Sequence, residues 1–206
     1  MPDTSRTRSG LKQFRLLLWV LVAVALLGLA ALLLTRRDSS PEHTQAPAKA
    51  SLGGEFTLFG GDGKPFSSAA LKDKPYAIFF GFTRCGDVCP TTLSRLVNLR
   101  NQAGGADAFN IVFVTIDPKN DGPKEVGQYA ELFNSPIIGL TGSQPQIDAV
   151  KKQYGIYAEP VPHGPAGQEM AHTGSTLLFD SAGKLAGTIS ATEPDAQALA
   201  TLKGLS

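Results

Sequence analysis

Cys85 and Cys89, four residues apart, are the only cysteines in the 206-residue chain and the side chains best suited to chemistry. They lie in FFGFTRCGDVCPTTL, Phe79 to Leu93. A β-rich run from Tyr76 ends at Gly81, and Pro90 opens a stretch of helical character, Thr91 to Arg100. Proline suits a first helical position, because its missing N–H would be unpaired there anyway. The thiols therefore sit where a strand feeds a helix. A helix N-terminus presents unpaired N–H groups and a partial positive charge, and both favour thiolates. At a spacing of four, both side chains share one helix face. Two sulfurs so placed can close a disulfide or clamp a soft metal ion. A purely structural bridge is the weaker reading, because the stabilisation a disulfide gives grows with loop length and this ring is short.

The elements that must hold this stretch alternate along the chain. Phe56–Phe59 and Lys64–Phe66, joined by Gly60-Gly61-Asp62-Gly63, predict an N-terminal hairpin. Leu71–Lys74 reads as a turn. Tyr76–Phe82 and Asn110–Ile116 are continuous apolar runs, the pattern of strands covered on both faces. Helices are expected over Pro90–Gln102, Pro123–Phe133, Ser143–Tyr154 and Glu193–Lys203, with Ser143 and Gln146 forming a capping box. Ile137–Leu140 is a short strand, and Thr173–Phe179 with Lys184–Ile189 makes a second hairpin. Strand–helix–strand alternation closed by a hairpin and a helix predicts an α/β sandwich of the thioredoxin type.

Ahead of that domain, Leu16–Leu34 is an unbroken apolar run of 19 residues. As a helix it spans roughly 28 Å, close to a ~30 Å hydrocarbon core. A signal-peptide core is shorter and ends in a small-x-small site, whereas Thr35-Arg36-Arg37-Asp38 follows here. The run reads as an uncleaved single-span anchor. Residues 1–15 form a polar tail with Arg6, Arg8, Lys12 and Arg15, and residues 35–53, rich in Ala, Ser, Pro and Lys, read as a linker. The slight basic bias places the tail in the cytoplasm and the domain, residues 54–206, outside it, where disulfide-competent thiols fit. Residues 36–206 carry 15 Lys and Arg against 17 Asp and Glu, which gives no electrostatic case for nucleic acid.

Four stretches, in order, carry a family resemblance: FFGFTRCGDVCPTTL, VTIDPKND at Val114–Asp121, IIGLTGS at Ile137–Ser143 and AHTGSTLLFD at Ala171–Asp180. Together they resemble the SCO/SenC family of thioredoxin-like copper proteins that help assemble cytochrome c oxidase. The resemblance implies copper, as Cu(I) or Cu(II), held by Cys85, Cys89 and His172, and places Asp117 near the metal as a supporting acid. Thiolates suit Cu(I), and imidazole suits both copper states. His43 and His163 fall in Pro- and Ser-rich or Pro- and Gly-rich segments and read as solvated; Met170, two before His172, reads as a packing residue. The chain departs from the family pattern at Arg84 and Gly86, where His and Pro are usual, and at Ala171, where Asp is frequent. Arg84 puts a fixed positive charge beside Cys85, which favours a thiolate. His172 is expected to begin a strand, and Glu159–Gly167 to be a loop without regular structure.

The implied function is a chaperone anchored in the inner (cytoplasmic) membrane, its domain on the periplasmic or extracytoplasmic side. It would deliver copper to the binuclear site of cytochrome c oxidase, with the oxidase's copper-bearing subunit or another copper chaperone as partner. An enzyme of a different class competes with it: a thiol–disulfide oxidoreductase acting through Cys85 and Cys89 on oxidase cysteines. A redox or copper sensor is a third reading. A metal carrier needs His172, and simple dithiol exchange does not.

Overall fold

The computed structural model describes residues 19–27, 52–161, 169–172 and 174–205; for 158–161 and 169–172 the description is of the strand backbone alone. The chain divides into two units, Met1–Ala50 and Ser51–Ser206. In the first, residues 19–27 form helix α1, and every one of them is exposed although all are apolar. Among the described residues no helix is long and apolar enough to cross a membrane. The rest of the Leu16–Leu34 run, the 1–15 tail and most of the 35–53 linker, His43 included, lie outside the described residues.

The second unit is the expected mixed α/β, thioredoxin-like sandwich. Its seven-stranded sheet is built from β1 (Thr57–Gly60), β2 (Pro65–Ser67), β3 (Tyr76–Gly81), β4 (Asn110–Thr115), β5 (Ile138–Thr141), β8 (Thr176–Phe179) and β9 (Leu185–Ile189). The strand order is β2-β1-β5-β4-β3-β8-β9, with β3, β4 and β5 parallel at the centre and antiparallel strands on both flanks. Two further strands, β6 (Ala158–Val161) and β7 (Glu169–His172), pair with each other as a separate hairpin.

Period-two alternation splits the core between the two faces of the sheet. Ile78, Phe80, Val112, Val114 and Leu140 face one cluster, which helix α4 (Gln144–Gln153) closes with Ile147 and Val150. Ala77, Phe79, Ile111 and Phe113 face the other. Helices α2 (Val88–Ala103), α3 (Pro123–Glu131) and α5 (Asp195–Lys203) cover it with Leu93, Leu96, Val126, Tyr129, Ala198 and Leu202. Two arginines fix α2. Arg95 donates to Asp195 Oδ1 at 2.7 Å, to Ser190 O at 2.9 Å and to Glu193 O, pinning the start of α5. Arg100, 1% exposed, donates to Pro136 O at 2.7 Å and Ser135 Oγ, and burial pushes its pKa down.

The chain joins this unit at Leu52–Gly54. Gly53 N–H donates to Gln153 O at 3.1 Å, and Tyr154 Oη donates to Gly54 O at 3.0 Å. Gly53 has φ +101°, and a Cβ there would lie 2.5 Å from the Phe179 ring, so glycine alone lets the backbone rest on that ring. Phe179 stacks on Tyr76, at the first residue of β3.

Three expectations shift. Helix α2 starts at Val88, so Pro90 is its third residue; that position is equally free of an intrahelical N–H bond. His172 ends β7, and the next strand begins only at Thr176. Glu159–Val161, expected in a loop, belong to β6; residues 162–168, with His163, lie outside the described residues.

Candidate metal centre

Strand β3 delivers the chain to the thiols at the carboxyl end of the parallel strands, where open α/β sheets bind ligands. Cys85 N–H donates to Phe82 O at 3.2 Å, closing a turn after Gly81. Helix α2 then begins, with Asp87 as its N-cap residue but without a side-chain capping bond. In that place Cys89 N–H donates to Cys85 Sγ at 3.3 Å. A sulfur thus takes a free amide of the first turn, the role usually filled by an oxygen. Both cysteines are free thiols; Cys85 is half-buried and Cys89 is 0% exposed.

The expectation that the helix end makes thiolates of both sulfurs fails for Cys89. Burial pushes its thiol far above the ordinary range, and its hydrogen bond with Cys85 pushes the same way. A backbone hydrogen bond from Phe82 lowers it, and the charges of Cys85 and Asp121 raise it. Space around this sulfur is also tight. A Cβ at Gly81 would lie 2.8 Å from Cys89 Sγ and 2.9 Å from the Phe79 ring, so a glycine is required to end β3 here.

Asp121 anchors the loop. Its carboxylate is 0% exposed and accepts three hydrogen bonds: from Thr83 N–H at 2.9 Å, Thr83 Oγ1 at 2.6 Å and Thr115 Oγ1 at 2.7 Å. Its own carbonyl accepts from Thr141 Oγ1 at 2.6 Å. The residue two before Cys85 is thereby tied to the ends of β4 and β5. Asp117 has different partners, and its side chain is 15% exposed. It pairs with Arg84 and accepts from Asn120 Nδ2 at 2.9 and 3.0 Å. The Arg84 guanidinium, next to Cys85 in the chain, is thus paired with Asp117.

For His172 the topology of the following strand is informative. Strand β8 runs antiparallel to β3, with Ile78 opposite Leu177, so β8 begins at the same end of the sheet where the cysteine loop emerges. His172 stands four residues upstream of Thr176, at the end of β7 and opposite Ala158. Among the described residues no three His, Cys, Asp or Glu side chains come together as a metal cage. The His172 imidazole and the Met170 side chain lie outside that description.

Tyr129 on α3 has its hydroxyl buried without a hydrogen-bond partner among the described residues. It shares the buried cluster with Cys89, and its ring packs on Phe113 at 5.1 Å. Burial raises its pKa most, followed by the charges of Cys89, Cys85 and Asp121. Asp121, Thr83 and Thr115, which hold the thiol loop, are not among the site residues expected from the sequence, and neither is the buried neighbour Tyr129. Val126, Tyr129, Ala130 and Phe133, at i, i+3, i+4 and i+7, do signal that Tyr129 sits on the inward stripe of its helix.

Residues 44–206 match the SCO1/SenC family. Among relatives, a SCO2-like protein of Rickettsia conorii is 33% identical over 175 residues, 80% of this chain and 85% of its own. The mitochondrial protein SCO2 of Saccharomyces cerevisiae is 35% identical over 126 residues, 60% of this chain, and this chain spans 42% of its length. A solved structure, Bradyrhizobium japonicum ScoI with copper bound, superposes with a TM-score of 0.67 at 34% identity, covering 75% of this chain and 99% of that one.

Proposed function

This chain belongs to the SCO1/SenC family, and we propose from that membership and from its thiol pair that it is a copper carrier for cytochrome c oxidase assembly. The observation that carries this reading is the pairing of a half-buried Cys85 with a buried Cys89 at the end of β3, the donor type that favours Cu(I). The copper-bound ScoI relative, alike along nearly its whole length, supports the same cargo. Cys85, Cys89 and His172 form the ligand set, and Asp117 supports the loop through Arg84. Cys85, reachable from solvent, is the sulfur through which copper enters and leaves; Cys89 closes the site from inside. The recipient is the copper-bearing oxidase subunit with its binuclear site, and a second copper chaperone is the donor.

Purified full-length protein in detergent is expected to take up one copper(I). Binding displaces the Cys89 proton, which burial holds on the sulfur well into the alkaline range. Affinity therefore rises with pH, about tenfold per unit for each proton displaced, and the rise continues past the point where an ordinary thiol has ionised. Chelator competition at several pH values measures it. An affinity independent of pH would mean that Cys89 is not a ligand.

The chain is anchored through Leu16–Leu34, with residues 54–206 on the extracytoplasmic side of the inner membrane. The described part of that run supports this: α1 exposes apolar side chains all round, which suits a lipid solvent and not water. Alkaline carbonate washing of membranes should leave the protein in the pellet; release into the supernatant would remove the anchor.

The asymmetry of the two sulfurs favours one second reading. In a dithiol reductase, the Cys85 thiolate attacks a partner disulfide and releases one partner thiolate. Cys89 then loses its proton and attacks the mixed disulfide, and the second partner thiol leaves. The pair gives up two electrons and two protons and ends as the Cys85–Cys89 disulfide.

A further inference from the structure

Val88 is the one large apolar side chain of α2 left exposed, 45% open to solvent at the first residue of the helix. With Asp87, Thr91, Thr92, Arg95 and Ala191 it walls a recess of about 160 Å³ between the start of α2 and the turn after β9. Thr92, Arg95 and Ala191 carry the recess on into a notch that Gly174 and Thr176 complete, where β8 begins. A space of this size takes one long side chain; a helix, roughly 10–12 Å across, does not fit. The walls differ in chemistry. Val88, Ala191 and the threonine methyls offer an apolar lining. Arg95, the one cation among these lining residues, is already matched by Asp195 at 2.7 Å and by the carbonyls of Ser190 and Glu193. Asp87 is exposed, and among the described residues its carboxylate has no ion pair and accepts only a long bond, 3.4 Å, from Thr91 Oγ1. The uncommitted charge of the recess is therefore negative.

We propose that this recess is a docking point for the protein that exchanges copper with this chain, and that the partner fills it with a lysine or arginine side chain from an extended segment. The proposal rests on the copper-carrier reading. The aliphatic stem lies along Val88 and Ala191 and the cation meets the Asp87 carboxylate, the division that long basic side chains make between apolar surface and a charged head. An acidic side chain would face Asp87 with like charge, and an aliphatic one would desolvate that carboxylate without pairing it, so the recess selects by sign. Asp87 and Val88 stand between Cys85 and Cys89 in the chain, so a partner seated on them touches the loop that carries the reachable sulfur. Copper exchange needs a complex that forms fast and parts again. An exposed charge pair suits that, because charges at the rim of an interface act mainly on the rate of encounter.

The test measures binding of the copper-bearing oxidase subunit to the full-length chain in detergent, at about 50 and about 300 mM salt, with the unfolding midpoint of each copper-free protein alongside. The proteins are the parent, Asp87→Lys, Ala191→Arg and Leu132→Arg. Leu132, 71% exposed at the end of α3, takes the same added charge away from the recess. Asp87→Lys and Ala191→Arg should each weaken the complex by about tenfold, mainly through slower association, and flatten its salt dependence. Leu132→Arg should bind like the parent. Ala191 lies outside the thiol loop, so its variant decides the matter even if Asp87→Lys folds poorly. Parent-like affinity in Ala191→Arg overturns the docking point. So does an equal loss in Leu132→Arg, or a parent complex that tightens with salt. Self-association of the parent that Ala191→Arg abolishes makes the occupant a second copy and overturns it too. If the parent forms no complex with the subunit, the carrier reading itself fails, a distinct result that takes the docking point with it.

Discussion

Cys85→Ala and Cys89→Ala should each abolish tight copper(I) binding and disulfide formation, whereas His172→Ala should greatly weaken copper binding and leave the disulfide able to form. The expectation follows from how the three residues are held. The two sulfurs belong to one loop–helix unit, linked by the Cys89 N–H to Cys85 Sγ bond of 3.3 Å, so removing either leaves a lone thiol without a partner for metal or for oxidation. His172 belongs to a different hairpin, β6–β7, four residues before β8, which starts at the thiol end of the sheet because it runs antiparallel to β3. Its loss removes an imidazole without disturbing the dithiol. Losing one ligand of three should exceed the roughly 10–100-fold that loss of a supporting group costs. The measurements are copper stoichiometry, chelator competition and free-thiol counts after oxidation. Parent-like copper binding by His172→Ala would sink the three-ligand site and leave dithiol exchange as the better account.

The second large effect is on folding. Asp121→Ala should cost about 3–5 kcal/mol, because it strands the Thr83 amide and the Thr83 and Thr115 hydroxyls at a buried site, at about 1–3 kcal/mol for each group that finds no new partner. Against a domain stability of roughly 5–15 kcal/mol, that is enough to unfold much of the population at physiological temperature. Asp121→Asn, which keeps the shape and one acceptor, should retain part of the loss. Arg84→Ala should cost much less: the Arg84 side chain is 46% exposed, its partner Asp117 15%, and a pair with one end in solvent contributes little. Denaturant midpoints of Asp121→Ala, Asp121→Asn and Arg84→Ala decide the matter; an Asp121→Ala midpoint like that of Arg84→Ala would show that the buried carboxylate is not the anchor.

The fold was legible where local chemistry admits one answer. The Ser143–Gln146 capping box forms as expected, Ser143 N–H donating to Gln146 Oε1 at 2.9 Å. The apolar runs Tyr76–Phe82 and Asn110–Ile116 became β3 and β4 to within a residue, since only strands buried on both faces tolerate them. The start of α2 was not legible. Proline is tolerated anywhere in a first helical turn, and the sulfur that caps this one has no propensity signature. Strand β6 was hidden by Pro160, which removes an N–H and is accepted only because its hairpin has an open edge. The site was legible in its thiols, whose spacing advertises them. Its buried acid was not: Asp117 and Asp121 both follow the end of β4, and which one turns inward depends on Thr83 and Thr115, brought together only by folding.

The fastening at Leu52–Gly54 gives the domain a polarity. Gly53 lies against Phe179, opposite Tyr76 at the first residue of β3, while the thiols leave from the last residue of the same strand. The five steps from the first to the last residue of the strand, at about 3.3 Å each, put roughly 17 Å between those two poles. The end of the sheet that carries the sulfurs is therefore the one opposite the chain's entry into the domain, and nothing in the Leu52–Gly54 fastening borders it.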